Sequence, residues 1–158
     1  MKKNTLCLVL CFIASAWQPL FAAKDQNYVA IDLVNQKAIL YSVNAYRQKH
    51  HLAPLQFNSL MSEEAARHSR DMASHRVPFG HTHFDKRIHR LFGKIKDSRG
   101  GAENVAYNYK NGEEVVRNWL TSPGHRRNIE GHYNLTGIGL ARDNKGKLYF
   151  TQLFIRTH

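Results

Sequence analysis

The chain has 158 residues, enough for one domain with a real core and cramped for two. Hydrophobic residues make up 42% and charged residues 22%, a balance that argues against a disordered or fibrous chain. Lys and Arg total 23 against 12 Asp and Glu, a formal charge of +11, and ten histidines stand beside two cysteines.

Lys2 and Lys3, the apolar run Leu6 to Trp17, and then Ala22 and Ala23 read as a secretory signal over residues 1–22. Ala14-Ser15-Ala16 is a rival cleavage site, and an uncleaved N-terminal anchor is the rival reading. The apolar run is shorter than the ~20 residues a membrane span needs, so no span is expected after cleavage. Leu10, before Cys11, is too large for a lipoprotein processing site. Cleavage removes Cys7 and Cys11, and the mature chain then has neither thiol nor disulfide. The expected location is secreted or periplasmic. Losing Lys2 and Lys3 lowers the charge to +9, which still attracts an anionic envelope at long range. Nucleic acid is not an expected partner. Zinc-finger spacing, an RNA-recognition motif and a base-reading basic helix are all absent.

The mature chain divides into a helical first half and a strand-rich end. Val29 to about His50 predicts a helix with Val34, Ala38, Tyr41 and Ala45 on its apolar stripe. Asn58 caps a second helix to about Ser74, with Met61, Ala65, His68 and Met72 inward. A loop rich in His, Gly and Arg is expected over Val77 to Gly101. Glu103 to Tyr109 reads as a short strand. Asn111 caps a third helix, with Glu114 in capping-box register and Val115, Val116, Trp119 and Leu120 buried. Pro123 and Gly124 break it, and a short helix restarts through Ile129. Thr136 to Arg142 and Leu148 to Ile155 form a hairpin about Asp143, Asn144 and Gly146. In its second strand Leu148, Phe150 and Phe154 face one way and Tyr149, Leu153 and Ile155 the other, so both sides are covered. The expected fold is α+β: a three-layer α-β-α sandwich with a small antiparallel sheet between helices.

Reactive side chains concentrate in Phe79-Gly80-His81-Thr82-His83-Phe84, in Gly101-Ala102-Glu103-Asn104-Val105-Ala106 and in Ser122-Pro123-Gly124-His125-Arg126-Arg127-Asn128. Each lies at a loop or element end, where scaffolds place functional groups. Two histidines and one glutamate drawn from these segments are a set that can ligate zinc or another divalent cation with one position open. The same trio can do general acid/base work. Spacing alone chooses neither, and no His-Glu-x-x-His helix is present. His83 is the runner-up ligand, because in an extended segment it points the same way as His81. His68, on an apolar stripe, reads as a satisfied core histidine. Asn104, Ser122 and Asn128 read as cleft support. Nothing calls for an organic cofactor.

From about Ile39 to Phe154 the chain resembles the bacterial branch of the CAP superfamily. That superfamily includes the cysteine-rich secretory, antigen 5 and plant pathogenesis-related class 1 (SCP-like) proteins. The resemblance rests on Asn44-Ala45-Tyr46-Arg47, Phe79-Gly80-His81, Glu103-Asn104-Val105-Ala106, Trp119 to Ile129, Gly137-Ile138-Gly139 and Phe150-Thr151-Gln152-Leu153-Phe154. It implies one domain over residues 28–156 with a central cleft carrying His81, Glu103 and His125. The second glutamate of eukaryotic members has no counterpart here; its place falls near Ser122. Ala102 stands where glycine usually precedes the glutamate. The implied role is a binding protein for a small ligand, lipid, glycan or partner protein, with a divalent metal as a possible aid. A His/Glu-assisted or metal-assisted hydrolase acting on envelope substrates is one rival, and a structural interaction module is the other.

Overall fold

The computed structural model describes residues 18–158. The expected signal segment up to residue 17, with Cys7 and Cys11, lies outside the described residues. The chain divides into two units, Met1–Ile31 and Asp32–His158, and the fold below belongs to the second. Among the described residues five helices and four strands follow one another. They are α1 (Gln18–Lys49), β1 (Gln56–Phe57), α2 (Ser59–Ala73), α3 (Phe84–Phe92), β2 (Ser98–Tyr107), α4 (Gly112–Thr121), α5 (Pro123–Glu130), β3 (Leu135–Arg142) and β4 (Leu148–Thr157). Among the described residues no helix is long and apolar enough to cross a membrane.

The sheet runs β1-β3-β4-β2. β4 pairs antiparallel with β3 and with β2, while β1 pairs parallel with β3 through Gln56 and Phe57. The sheet is therefore mixed, a correction to the antiparallel expectation. A two-residue edge strand carries too little alternation to be read from sequence.

β4 is buried on both faces from Leu148 to Ile155, as its doubled apolar pattern requires. Leu148, Phe150 and Phe154 join Ile39 and Val43 of α1 and Val115, Val116 and Trp119 of α4 on one side. Leu153 and Ile155 meet Met61 and Ala65 of α2 and Leu91 of α3 on the other. Helices thus cover both faces, the expected three layers. Gly137 and Gly139 let α2 lie close on β3. A Cβ on Gly139 would overlap the backbone of Ala65 and Ala66.

Three local expectations change. The buried stripe of α1 is Asn35, Ile39, Val43 and Arg47, one to two positions off the expected one. Val34 is 66% and Tyr41 77% exposed. Two of the four inward positions are polar, so hydropathy hides the stripe. Asn35 accepts from the Gly112 amide, and Arg47 donates to the carbonyls of Ala53, Ile129, Gly131 and Tyr133. The expected loop over Val77 to Gly101 contains α3 and the start of β2. The Glu114 amide bonds to Asn111, but the Glu114 carboxylate returns to the Lys110 amide rather than to Asn111.

Candidate functional site

β2 is an edge strand, and its outer backbone is covered by side chains instead of a fifth strand. Asn128 Nδ2 donates to Glu103 O at 3.1 Å, and Trp119 Nε1 reaches Val105 O at 3.4 Å. Asn128 also donates to Asn104 Oδ1, and Asn104 Nδ2 donates to His125 O. This small amide network ties α5 to β2 and fixes where His125 begins. Asn104 and Asn128 therefore hold the loops, and Ser122 joins α4 to α5.

A cavity of about 580 Å³ lies along this edge. His81, His125 and Ser122 line it, together with Phe79, Tyr107, Tyr109 and Trp119. Its rings meet in pairs. Phe79 and Tyr107 have ring centroids 4.8 Å apart, and Trp119 lies 6.3 Å from His125. Burial, and then the nearby His81, hold His125 below the usual imidazole range, so its neutral form is favoured.

Glu103 is not part of that lining. It is 4% exposed, and its carboxylate is engaged from three sides. Arg87 grips it with Nε to Oε2 at 2.9 Å and Nη2 to Oε1 at 3.0 Å. His81 Nδ1 lies 2.9 Å from Oε1. The ionised carboxylate can only accept, so Nδ1 carries the proton and Nε2 keeps its lone pair in the neutral ring. His68 sits behind; its Nε2 donates to Gly80 O at 2.8 Å and lies 3.9 Å from Glu103 Oε1. Burial first, then Arg87, keep His68 below the usual imidazole range.

The structure thus brings Glu103 of β2 against His81 and places His81 and His125 on one hollow, with different tasks for each. His81 and His125 face the hollow, while Glu103 stands behind His81 and sets its tautomer. Among the described residues no group of three or more His, Cys, Asp or Glu converges to hold a metal ion. Glu103 does not fit a ligand role while Arg87 occupies both its oxygens.

His83 departs from its expected place beside His81. The segment is not extended there: His83 adopts a left-handed conformation at φ +60°, caps α3 and lines a different hollow. The residue that sequence reasoning missed is Arg87, which is buried on α3. Ala102 is buried in the core, paired across the sheet with Phe154.

The model of the cysteine-rich secretory protein family matches residues 40–154. An uncharacterized membrane protein of Bacillus subtilis, YlbC, is 33% identical over 144 residues, covering 85% of this chain and 38% of its own. The uncharacterized B. subtilis protein YkwD is 37% identical over 125 residues, covering 76% of this chain and 46% of its own. The chain therefore spans less than half the length of these curated relatives. Among solved structures, an extracellular protein of Bacillus anthracis containing an SCP domain superposes with a TM-score of 0.66 at 29% identity. That match covers 80% of this chain and 42% of the other.

Proposed function

The chain belongs to the cysteine-rich secretory protein family, and from that premise we propose that it is a binding protein working outside the cytoplasm. Its ligand is a small molecule with a flat apolar face and a hydrogen-bonding edge, held in the cavity beside β2. The observation that carries this reading is the commitment of Glu103. Its carboxylate is buried, held by Arg87 through both oxygens, and turned to orienting His81. What remains open to a ligand is an aromatic wall with two imidazoles at its edge. Such a wall favours stacking and apolar burial over bond cleavage.

The test is calorimetry on the full chain with three probes: a fatty acid, a sterol and an N-acetylglucosamine oligomer. At least one binds, and Ser122→Phe, which narrows the cavity, weakens it at least tenfold. Absence of heat from all three, or a probe that ignores Ser122→Phe, removes the reading.

A divalent ion such as zinc would take His81 and His125 as its protein donors, with Glu103 behind His81. A carboxylate behind a ligating imidazole is the usual way to fix its tautomer. Two imidazoles without a protein carboxylate form a poor site. Zinc titrated at pH 7.5 is expected to bind weakly, more weakly still at pH 5.5, and not at all in His125→Ala. Tight zinc binding that is lost in Glu103→Gln would return the carboxylate to the metal.

The hydrolase reading has one specific observation in its favour, the 2.9 Å contact between Glu103 and His81. A carboxylate-backed imidazole is suited to take a proton. Turnover of an envelope ester, amide or glycoside that disappears in His81→Gln, with the fold retained, would put catalysis ahead of binding.

A further inference from the structure

A second hollow, of about 310 Å³, opens between α2 and the start of α3 on the far side of Glu103. Arg67 from α2 and Lys86, Arg87 and Arg90 from α3 converge on it, with Thr82 and His83 at its rim. One acid, Asp71, shares the lining, and Arg76 already holds it at 2.7 Å. The remaining carboxylates nearby are outnumbered. Glu64 serves both Arg90 at 2.8 Å and Arg67 at 3.3 Å, and Glu103 serves Arg87. Among the described residues no carboxylate pairs with Lys86.

The acids do more than neutralise. Glu64 is buried and fixes Arg90 through Nε and Nη2, which leaves Nη1 uncommitted. Arg87 is fixed by Glu103 and by a bond from Nη1 to Thr82 O. Guanidinium groups anchored on one edge present their other donors without further ordering cost, the arrangement that suits a tetrahedral oxyanion. The positive end of α3 opens onto the same space, with Asp85 in its first turn offsetting part of that charge.

We propose that this hollow is a binding site for a phosphate group, gripped by Lys86, Arg67 and Arg90 and separate from the aromatic cavity. The phosphate belongs either to a soluble ester or to an anionic lipid headgroup, which share this chemistry.

The experiment uses the full chain, labelled for amide NMR. It is titrated with inorganic phosphate against chloride at matched ionic strength, so that general screening cancels. Phosphate is expected to shift amides of residues 67–71 and 82–90, saturably, in the millimolar range. Lys86→Glu and Arg67→Glu weaken it at least tenfold. Lys145→Glu makes the same charge change in the β3–β4 turn and leaves binding within twofold. The spectra report directly whether each variant folds. Should Arg67→Glu disturb the fold through its contact with Glu64, exposed Lys86 carries the decision. Shifts scattered over other basic surfaces, an equal response to chloride, or an equal loss in Lys145→Glu would overturn the proposal. A second arm uses phosphatidylcholine vesicles with and without phosphatidylglycerol. Phosphatidylglycerol-dependent capture that Lys86→Glu abolishes identifies a lipid headgroup as the source. Phosphate binding without such capture identifies a soluble ester.

Discussion

The two hollows share a wall and little else. His81 and His125 border one, His68 and Arg87 border the other, and Glu103 lies between. On the cavity side the surface is aromatic, and burial keeps His125 neutral. On the other side four cations converge with one acid in the lining. One buried carboxylate thus serves two environments: to the first it offers an oriented imidazole, and to the second an anchored guanidinium. A charge that looks like an active-site group from sequence stands here between two hollows, paired with His81 and Arg87.

The strongest way to break the comparison is at that shared carboxylate. Arg87→Ala strands Glu103 in the interior without its main partner. Breaking a buried pair from one side costs about 3–5 kcal/mol. Chemical unfolding is the measurement, and Arg87→Ala with Glu103→Gln recovers part of the loss, because the stranded charge is gone. Both hollows lose ligand binding in the single variant. Equal stability of Arg87→Ala and wild type would mean that water or another cation already satisfies Glu103.

How much of this was legible before the structure depends on where polar residues sit. The α2 stripe and the doubled face of β4 were readable because Met61, Ala65, Phe150 and Leu153 carry apolar periods. The sequence pattern sets the α1 stripe one to two positions away because Asn35 and Arg47 are buried through hydrogen bonds rather than hydropathy. α3 reads as loop in the sequence because Lys86, Arg87, His89 and Arg90 crowd a nine-residue helix and one of its inward positions is Arg87. The grouping of His81, Glu103 and His125 was legible only as what the family resemblance implies. The division of labour among them was not, since Arg87 meets Glu103 only when α3 and β2 are in place. His83 misled for a backbone reason, a left-handed turn at a residue that does not announce one.

A second substitution separates the hollows. Asn104→Ala removes the side chain that joins Asn128 to His125 O. Leaving these partners unsatisfied costs about 1–3 kcal/mol. His125 then loses its fixed position, so cavity ligands weaken, while phosphate shifts at residues 82–90 persist. Parallel loss at both places would show that the amide network supports the whole edge of the sheet instead of one site.

Acid titrates the opposite side. Hydrogen bonds from Arg90 hold the Glu64 carboxyl below its ordinary value of 4.5, against the opposing effect of burial. A depressed carboxyl stabilises the fold above its unfolded value, and that contribution disappears as pH falls through the folded one. Melting temperature should therefore fall below pH 4.5. Glu64→Gln should flatten that fall and lower the melting temperature at neutral pH. An unchanged acid slope in Glu64→Gln would place the sensitivity on other carboxylates.

The smallest effect on stability is expected at His81. Its side chain is 55% exposed, and Glu103 retains Arg87 when the imidazole is removed. Solvent screens such a contact, so His81→Ala should cost less than about 1 kcal/mol. The informative readout is binding. If His81 presents Nε2 to a cavity ligand, the variant weakens that ligand several-fold with little change in melting temperature, and phosphate binding beyond Glu103 is untouched. If instead the melting temperature drops and every affinity stays constant, His81 only props the loop before α3. The aromatic wall alone would then define the cavity, and the contrast between the hollows would reduce to apolar surface against charge.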